Sequence, residues 1–368
     1  YDTGSGKSYK GQPTANLINQ MIGTTTISYP ENVYISTATE TNVADSSAPG
    51  GQYSRFTGNT DSSNNQLYSR FNTASIDVRN TTITYSVYLK GSGTCHLTIY
   101  ADNSGYGTSS TITLTNEWTH YTYTRSVTNY TTNCWVAVRG ILTTTDVYIA
   151  AQQAEIKSHA TQFVNGTRSA TEGLIDRTNT ATIDLSNTSF DSDAQITLDG
   201  TDDYIDLGSD VSISPDNQGW TTEYWFNTNS ASTLQHFNSA ENDEFNANWL
   251  AILSSKLAVW NRSPGYWKYG DTIIQSNTWY QAVFICDAGG TNMRFYVNGE
   301  AEGGNHVGNV WTASYSSLDV RYIGKYEYQG GHSRYFNGEI NAVKIYDRAL
   351  TDEEVLQNYN ATKSRFGL

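Results

Sequence analysis

Cations, cysteine and long apolar runs are all scarce in this sequence. Its 368 residues carry 22 Lys and Arg against 36 Asp and Glu, which gives a formal net charge of −14 at pH 7. A protein that binds nucleic acid non-specifically needs a cationic face to displace counterions, so nucleic acid is not an expected partner. No apolar run approaches the roughly 20 residues that span a bilayer, and we expect no membrane insertion.

The three cysteines, Cys95, Cys134 and Cys286, do not make a disulfide framework. Cys95 and Cys134 lie in neighbouring predicted strands and could pair, although buried free thiols are the favoured alternative. The sequence also lacks a Ser/His/Asp arrangement and the Cys/His spacing of a zinc site. We therefore expect a protein that is not an enzyme.

Thr, Ser, Asn, Gly and Tyr dominate the composition, and only 16% of the residues are charged. Aromatic and β-branched side chains fill pleated surfaces, so this composition is typical of all-β proteins. From about residue 67 to 151, apolar and polar residues alternate in short runs closed by Gly, Asn or Asp, as in TTITYSVYLKG and CHLTIYADN. That pattern predicts an antiparallel β-sandwich.

The alternation stops in the segment EIKSHATQFVNGTRSATEGLIDRTN and resumes with AQITLDGTDDYIDLG. We place a domain junction near residues 167–173. It separates a first domain at residues 1–168, which includes a loose N-terminal leader, from a second domain at residues 174–368. The leader contains TGSGKS, which lacks the complete spacing, the strand and the helix of a phosphate-binding loop.

Two local signals in the second domain are specific. The Asn-Gly pair in FYVNGEAE predicts a two-residue hairpin turn, because both central positions of such a turn prefer positive φ. Towards the C-terminus the apolar period becomes helical. There Thr351 can act as N-cap, Glu354 completes a capping box, and Val355, Leu356 and Tyr359 form an apolar stripe. The sequence therefore predicts a short C-terminal helix.

Four motifs follow one another in the second domain: ITLDGTDDYIDLG, WTTEYWFNT, MRFYVNGE and YIGKYEYQGGHSRYFNGEINAVKIYDRALTDEEVLQNY. In this order they resemble the laminin-G-like, concanavalin A-like jelly rolls. The first domain, with YSVYLKGSG, resembles a carbohydrate-binding-module-like sandwich. The resemblance implies an all-β fold of two tandem antiparallel β-sandwiches (jelly rolls) followed by the short C-terminal helix.

The tail LQNYNATKSRFGL and the junction ATQFVNGTRSATEGLIDRT are similar to segments of bacteriophage structural proteins that carry this domain. The resemblance implies a non-catalytic protein of the virion surface, in a tail fibre or in a capsid-attached fibre or decoration, that binds host-surface glycans. The other expected partners are virion proteins and copies of the chain in a homo-oligomer. Two alternatives stay open: an extracellular bacterial adhesin or matrix protein with the same modules, and a polysaccharide-cleaving enzyme.

The segment ENDEFN bears on the enzyme alternative. Some glucanases of the concanavalin A-like fold use E-x-D-x-x-E, where strand alternation places three carboxylates on one face and the outer pair act as nucleophile and general acid. Glu241 and Asp243 fit that spacing, but the third position is Asn246, which cannot supply a carboxyl proton. A solvated loop is the favoured interpretation.

An acidic cluster in the first motif contains Asp199, Asp202, Asp203 and Asp206. Hard oxygen ligands suit calcium, and laminin-G-like jelly rolls often bind that ion. The cluster is therefore a candidate calcium site, with Asp199 and Asp203 as ligands and Asp347 as a further candidate. A hairpin turn stabilised by Asp side chains is an equally good interpretation.

The segment VWNRSPGYWKYGD carries the binding hypothesis. It places Trp260, Tyr266, Trp267 and Tyr269 around a Pro-Gly turn. Sugar rings present apolar C–H faces that pack on exposed aromatic rings, and an aromatic residue on a turn is a better platform than one in the core. We therefore predict that these four residues bind a glycan.

Overall fold

The computed structural model describes most of the chain. The described residues are 1–3, 5, 8–18, 38–58, 66–70, 77–130, 133–141, 144–164, 167–178, 181–192, 195–214, 216, 218–240, 249–261, 266–290, 292–302, 317–326 and 334–368. They form two compact units: an N-terminal unit of Pro13–Ser169 with Ser192–Ala194, and a C-terminal unit of Tyr1–Gln12, Ala170–Asp191 and Gln195–Leu368. None of the helices in these ranges has both the length and the apolar character needed to cross a membrane.

Antiparallel strands build the N-terminal unit. Their bounds are β1 Thr14–Ala15, β2 Ala38–Ala44, β3 Gln52–Gly58, β4 Gln66–Arg70, β5 Thr81–Ser92, β6 Thr94–Ala101, β7 Gly105–Thr108, β8 Ile112–Thr113, β9 Thr119–Val127, β10 Cys134–Arg139, β11 Asp146–Glu155 and β12 Thr167–Arg168. One sheet has the order β4-β10-β6-β7, with β8 also paired to β6. A second has the order β2-β3-β11-β5-β9, and β1 pairs with β12.

The core of the N-terminal unit follows from strand alternation. In β5, the residues Ile83, Tyr85, Val87 and Leu89 all point into one apolar cluster. Fully burying a side chain of this size contributes about 1.5–3 kcal/mol relative to leaving it in water. The one polar atom among these four side chains, the Tyr85 hydroxyl, donates to Oε1 of Gln152 at 2.6 Å, so its burial leaves no unmet hydrogen bond.

The three cysteines are buried free thiols, as the sequence favours. In the register of β6 and β10, Cys134 lies opposite Ala101, at the far end of β6 from Cys95, so the two sulfurs cannot reach each other. Burial raises the pKa of the Cys95, Cys134 and Cys286 thiols to about 12. These side chains therefore pack as small apolar groups.

The C-terminal unit contains the remaining strands and the helix. Their bounds are β13 Ser189–Phe190, β14 Ile196–Asp199, β15 Ile205–Ile213, β16 Trp220–Thr228, β17 Gln235–His236, β18 Asn238–Ser239, β19 Trp249–Leu253, β20 Lys256–Asn261, β21 Tyr266–Tyr269, β22 Trp279–Cys286, β23 Met293–Val297, β24 Glu300–Ala301, β25 Leu318–Ile323, β26 Asn337–Tyr346 and α1 Asp352–Thr362. The sheet orders are β13-β14-β26-β16-β22-β23-β24, β15-β25-β18 and β17-β19-β20-β21. The predicted all-β fold of sandwiched antiparallel sheets with a short C-terminal helix is confirmed.

Both local signals in this unit have the predicted geometry. Asn298 and Gly299 connect β23 to β24 with φ values of 52° and 82°. At the start of α1, the Thr351 side chain accepts from the backbone N–H of Glu354, whose carboxylate in turn accepts from the Thr351 N–H. Of the predicted apolar stripe, Val355 is fully buried, whereas Leu356 is 42% exposed.

The predicted loose leader differs from the structure. Asp2 makes an antiparallel bridge with Ala342 of β26, and the Thr3 N–H donates to the Asn341 carbonyl at 2.8 Å. Farther along, Tyr9 bridges Leu174 and is 3% exposed. The reason is an open edge: β14 pairs with only the first two residues of β26, so the next backbone groups of that strand are available to residues 1–3.

Candidate functional site

A row of aromatic side chains lies on one face of the sheet β17-β19-β20-β21. In the register of β20 and β21, Trp260 lies opposite Trp267 and Ala258 lies opposite Tyr269. Side chains of a strand alternate between faces, so these four residues share one face while the intervening apolar residues of β20 enter the core.

The rings on this face contact one another. Trp260 and Trp267 meet edge to face, with centroids 5.5 Å apart and planes at 62°. Trp267 also meets the His236 ring at 6.2 Å and 72°, and His236 lies 4.6 Å from Tyr326. Such pairs contribute about 0.5–1.5 kcal/mol beyond the area they bury. We call Trp260, Trp267, Tyr269 and His236 the C-terminal aromatic face.

Exposure increases towards one end of this face. Trp260 and Trp267 are half-buried, Tyr269 is 39% exposed, and Ile273 just beyond is 52% exposed. Among the described strands, β21 pairs with β20 alone, so it is the edge of its sheet. Tyr269 is thus the most exposed member of the C-terminal aromatic face.

The four predicted aromatic residues lie in the paired strands β20 and β21, on either side of residues 262–265. Tyr266, Trp267 and Tyr269 all belong to β21, because a Tyr-Trp-Lys-Tyr run favours the extended conformation and continues the hairpin. Tyr266 lies opposite Asn261, out of phase with Trp267 and Tyr269. The side chain of Tyr266 and the residues Pro264 and Gly265 lie outside the described part of the chain.

One carboxylate fixes the chain immediately after β21. Glu302, 8% exposed, accepts from the backbone N–H groups of Asp271 at 2.6 Å and Thr272 at 2.7 Å, and from the Thr272 hydroxyl at 2.6 Å. A Cβ on Gly270 would lie only 2.6 Å from this carboxylate, so glycine permits the close approach. Glu302 therefore holds the end of β21 and with it the neighbouring Tyr269.

Burial lowers the pKa of two described titratable groups of this sheet, His236 and Lys268. Burial, followed by the charge of Arg334, lowers the pKa of His236 to about 3, so its imidazole stays neutral. Burial also lowers the pKa of Lys268 to about 8. His236 is fully buried and therefore packs against Trp267 as a neutral ring.

The acidic cluster forms a compact loop after β14. One carboxylate oxygen from each of Asp199, Asp202 and Asp203 lies within 4.8 Å of the others. Asp199 Oδ1 accepts from the N–H groups of Thr201 at 2.7 Å and Asp202 at 3.2 Å, and Asp203 Oδ2 accepts from the Asp199 N–H at 3.0 Å. Gly200 has a φ of +80° and a Cβ there would meet Asn337, so the turn requires glycine.

The hydrogen bonds within this loop give the aspartates the turn-stabilising role, and the calcium-binding role stays a prediction. Backbone hydrogen bonds, foremost from Thr201, lower the pKa of Asp199, so its side chain holds the turn as a carboxylate. Burial raises the pKa of Asp203, and the charges of Asp199 and Asp202 add to that effect. A cation would relieve this repulsion, and three oxygen donors at this spacing fit the ligand preference of calcium.

The carboxylates of Asp347 and Asp206 lie outside this loop. Asp199 is paired with Asn337 at the first residue of β26, whereas Asp347 follows the last residue of that ten-residue strand. Ten extended residues span about 33 Å, so Asp347, the further candidate ligand, lies far from Asp199 and Asp203. Asp206 is ion-paired with Arg321 at 3.1 Å.

Two further aromatic residues near Trp267 could not be predicted from the sequence, and one predicted segment lies outside the described residues. His236 of β17 contacts Trp267, and Tyr326, three residues after β25, contacts His236; nothing local in the sequence marks either residue. Residues 241–248, which include the predicted carboxylates Glu241 and Asp243, lie outside the described part of the chain.

Several solved structures are similar to this chain. The CBM40 of the Ruminococcus gnavus IT-sialidase bound to α2,3-sialyllactose is 14% identical, covering 42% of this chain and 96% of that chain with a TM-score of 0.31. Domain 4 of AbnA, an extracellular GH43 arabinanase of Geobacillus stearothermophilus, in complex with arabinotriose, is 20% identical (48% and 80% covered, TM-score 0.31). A native heptameric SAP-like pentraxin of Limulus polyphemus is 19% identical (44% and 78% covered, TM-score 0.34).

No curated protein matches this sequence. Within the C-terminal unit, residues 199–356 match the family model described as the concanavalin A-like lectin/glucanases superfamily.

Proposed function

We propose that the protein is a non-catalytic glycan-binding protein and that its C-terminal aromatic face contacts the sugar. One observation carries the proposal: Tyr269 is 39% exposed at the edge of a sheet, beside the half-buried pair Trp260 and Trp267. An exposed ring beside two half-buried rings offers flat apolar surface to the C–H faces of a saccharide, whereas core aromatics do not.

The contacts within the face favour binding. Trp267 is held by Trp260 on one strand and by His236 on another, and Glu302 fixes the chain after Tyr269. Side chains that are already ordered lose little conformational entropy when a ligand binds. Stacking of a flat ligand on an aromatic side chain is worth about 1–3 kcal/mol in nucleic-acid complexes, and we take that as the scale here.

The family match supports the ligand class, because its description names lectins as well as glucanases. For the biological setting we propose the surface of a bacteriophage virion, in a tail fibre or in a capsid-attached fibre or decoration, with other virion proteins and further copies of the chain as partners. The tail LQNYNATKSRFGL and the junction ATQFVNGTRSATEGLIDRT support it by their similarity to phage structural proteins. An extracellular adhesin is the alternative.

We also propose calcium as a ligand of the acidic loop. Asp199, Asp202 and Asp203 would hold the ion through carboxylate oxygens, and the ion would supply positive charge that stabilises the loop. This site is independent of the C-terminal aromatic face, since no residue belongs to both.

A glycan array probed with the full chain tests the proposed function. Tyr269→Ala should lose signal on the glycans that this face binds, at least about fivefold if stacking contributes 1 kcal/mol. Leu356→Ala is the matched control, because it removes a 42% exposed apolar side chain from α1 of the same unit. Wild-type signal in both variants would contradict the proposal, and release of reducing ends from a bound polysaccharide would favour the enzyme alternative.

Immunogold labelling of virions tests the proposed location at the virion surface.

A further inference from the structure

A lysine, a carboxylate and an asparagine amide meet on the outer face of the seven-stranded sheet of the C-terminal unit. In the register of β16 and β26, Glu223 lies directly opposite Lys344, and the Lys344 ammonium lies 2.8 Å from Oε1 of Glu223. The next residues along these strands, Tyr224 and Val343, enter the core, so Glu223 and Lys344 point away from it. From α1, the Asn358 amide nitrogen donates to the other oxygen, Oε2, at 2.9 Å. One carboxylate therefore holds an amine of the sheet next to an amide of the helix.

The carboxylate that joins these groups is shielded from water. Glu223 is 1% exposed, and the fully buried Trp225 donates its indole N–H to Oε1 at 3.1 Å. On its other side in the sheet Glu223 lies opposite Val283, which belongs to an apolar cluster with Val355 of α1. Such an enclosure keeps water from competing with a nucleophile of the protein itself.

The Asn358 amide has a defined orientation. An ionised carboxylate only accepts hydrogen bonds, so the amide nitrogen must be the atom that faces Glu223. The same nitrogen donates to the Tyr346 hydroxyl at 3.0 Å. Burial, followed by the charge of Glu223, raises the pKa of Tyr346 to about 12, so this hydroxyl stays neutral. The nitrogen that would leave the amide therefore points at a group that can deliver a proton to it.

The burial of a carboxylate does not by itself require a lysine. Glu302, which is also nearly buried, is satisfied by backbone N–H groups and a hydroxyl. Near the start of α1, Arg348 pairs with Glu354 through two nitrogens, at 2.8 Å and 2.7 Å. An arginine makes such a bidentate pair but stays charged, whereas the amine of Lys344 becomes a nucleophile once it loses a proton.

We propose that Lys344 and Asn358 form an intramolecular isopeptide bond, with Glu223 as the catalytic acid and base. The Lys344 ammonium gives a proton to Oε1 of Glu223, and the resulting amine attacks Cγ of Asn358. The bond between Nζ and Cγ forms, and the bond between Cγ and Nδ2 breaks. Nζ loses two protons in all, and both pass to Nδ2 through Glu223, so an ammonium ion leaves and the carboxylate returns to its initial form.

The bond ties α1 covalently to β26. The reacting groups belong to one folded unit and are placed by its packing, so the step needs no second molecule and no oxidant. The released ion reaches solvent past the Lys344 side chain, which is 37% exposed. This inference is independent of the proposed function, because none of the three residues belongs to the C-terminal aromatic face.

Mass spectrometry of the full chain tests the proposal. The wild-type protein should be one ammonia lighter than its sequence, and protease digestion should yield a branched peptide in which Lys344 is joined to Asn358. Lys344→Arg is the matched variant, because it keeps the positive charge opposite Glu223 without a nucleophilic amine, and it should have the full mass of its sequence. Glu223→Gln should also have its full mass, because glutamine cannot carry the proton.

The branched peptide distinguishes this bond from other losses of ammonia. An Asn-Gly pair such as Asn298–Gly299 can lose ammonia by cyclising with its own backbone, but that loss gives no branched peptide and would persist in Lys344→Arg. A wild-type protein of full mass, with separate unmodified peptides for Lys344 and Asn358, overturns the proposal. An equal loss of ammonia in Lys344→Arg overturns it as well. If Glu223→Gln does not fold, the comparison of wild type with Lys344→Arg decides the result.

Discussion

The ring of Phe366 stacks on that of Trp225 with centroids 4.5 Å apart and planes only 13° from parallel. Trp279 lies 4.5 Å from the same phenylalanine, and Tyr359 of α1 stacks on Trp225 at 5.9 Å and 6°. Trp225 alternates along β16 with residues that enter the core. The C-terminal helix and the residues after it therefore cover the outer face of the seven-stranded sheet, which keeps Trp225 fully buried.

Replacing Phe366 with alanine should destabilise the C-terminal unit. A fully buried Phe→Ala costs about 3–5 kcal/mol, so we expect about 1.5–3 kcal/mol for this half-buried ring. Tryptophan fluorescence emission should shift to the red as Trp225 and Trp279 become more exposed to solvent. Leu368→Ala, which removes a 41% exposed side chain, is the control. Unchanged melting and emission in Phe366→Ala would show that the tail does not stabilise the sheet.

The capping box of α1 should make the free energy of unfolding depend on pH in the acidic range. Hydrogen bonds, foremost from the Arg348 guanidinium and then from the Thr351 N–H, lower the pKa of Glu354 from 4.5 to about 2. Because the folded value is the lower one, this stabilisation is present above pH 4.5 and is lost as the pH falls from 4.5 towards 2. The difference in melting temperature between wild type and Glu354→Gln should therefore shrink over that interval. A difference in melting temperature that does not change with pH would contradict this prediction. Glu353→Gln, in the same helical turn, is the control.

Some elements could be predicted because their causes are local. The Asn298–Gly299 turn and the Thr351–Glu354 capping box depend on residues at most three positions apart, and both have the predicted geometry. The strand alternation around Ile83 likewise predicted a buried face. In each case the residues that determine the structure lie close together in the sequence.

Other features depend on register and could not be predicted. Trp267 was expected on a turn, but pairing with Trp260 draws it into a strand, and His236 reaches it only through the sheet order. Asp347 has the right chemistry for a calcium ligand and lies at the wrong end of β26. The segment 1–3 looked loose because nothing local shows that an edge of β26 is open to it.

Residues 1–12 should stabilise the rest of the C-terminal unit. Asp2 and Thr3 pair with β26, and the Arg365 guanidinium is ion-paired with Asp2. A fragment of residues 174–368 should therefore melt at a lower temperature than the same unit in the full chain, and a synthetic peptide of residues 1–12 should raise its melting temperature. A scrambled peptide is the control. Equal effects of both peptides would contradict the pairing.

Calcium should stabilise the protein if the acidic loop binds it. Millimolar calcium added to chelator-treated protein should raise the melting temperature, as any ligand of the native state does. Asp203→Asn should remove that increase, while Asp347→Asn should keep it, because Asp347 lies at the other end of β26. No increase for the wild type, or an equal increase in Asp203→Asn, would show that calcium does not bind through this loop.

One paired measurement tests the sugar-binding role of the C-terminal aromatic face most directly. A glycan identified on the array is titrated into wild-type protein and into Trp267→Ala, and the melting temperature of each protein is measured. Trp267 is half-buried between Trp260 and His236, so its loss should cost less than the roughly 3–5 kcal/mol of a fully buried aromatic. The account predicts a Kd higher by at least about fivefold in a variant that stays folded at the temperature of the titration. An unchanged Kd together with a large loss of stability would make Trp267 a packing residue and contradict the assignment of this face.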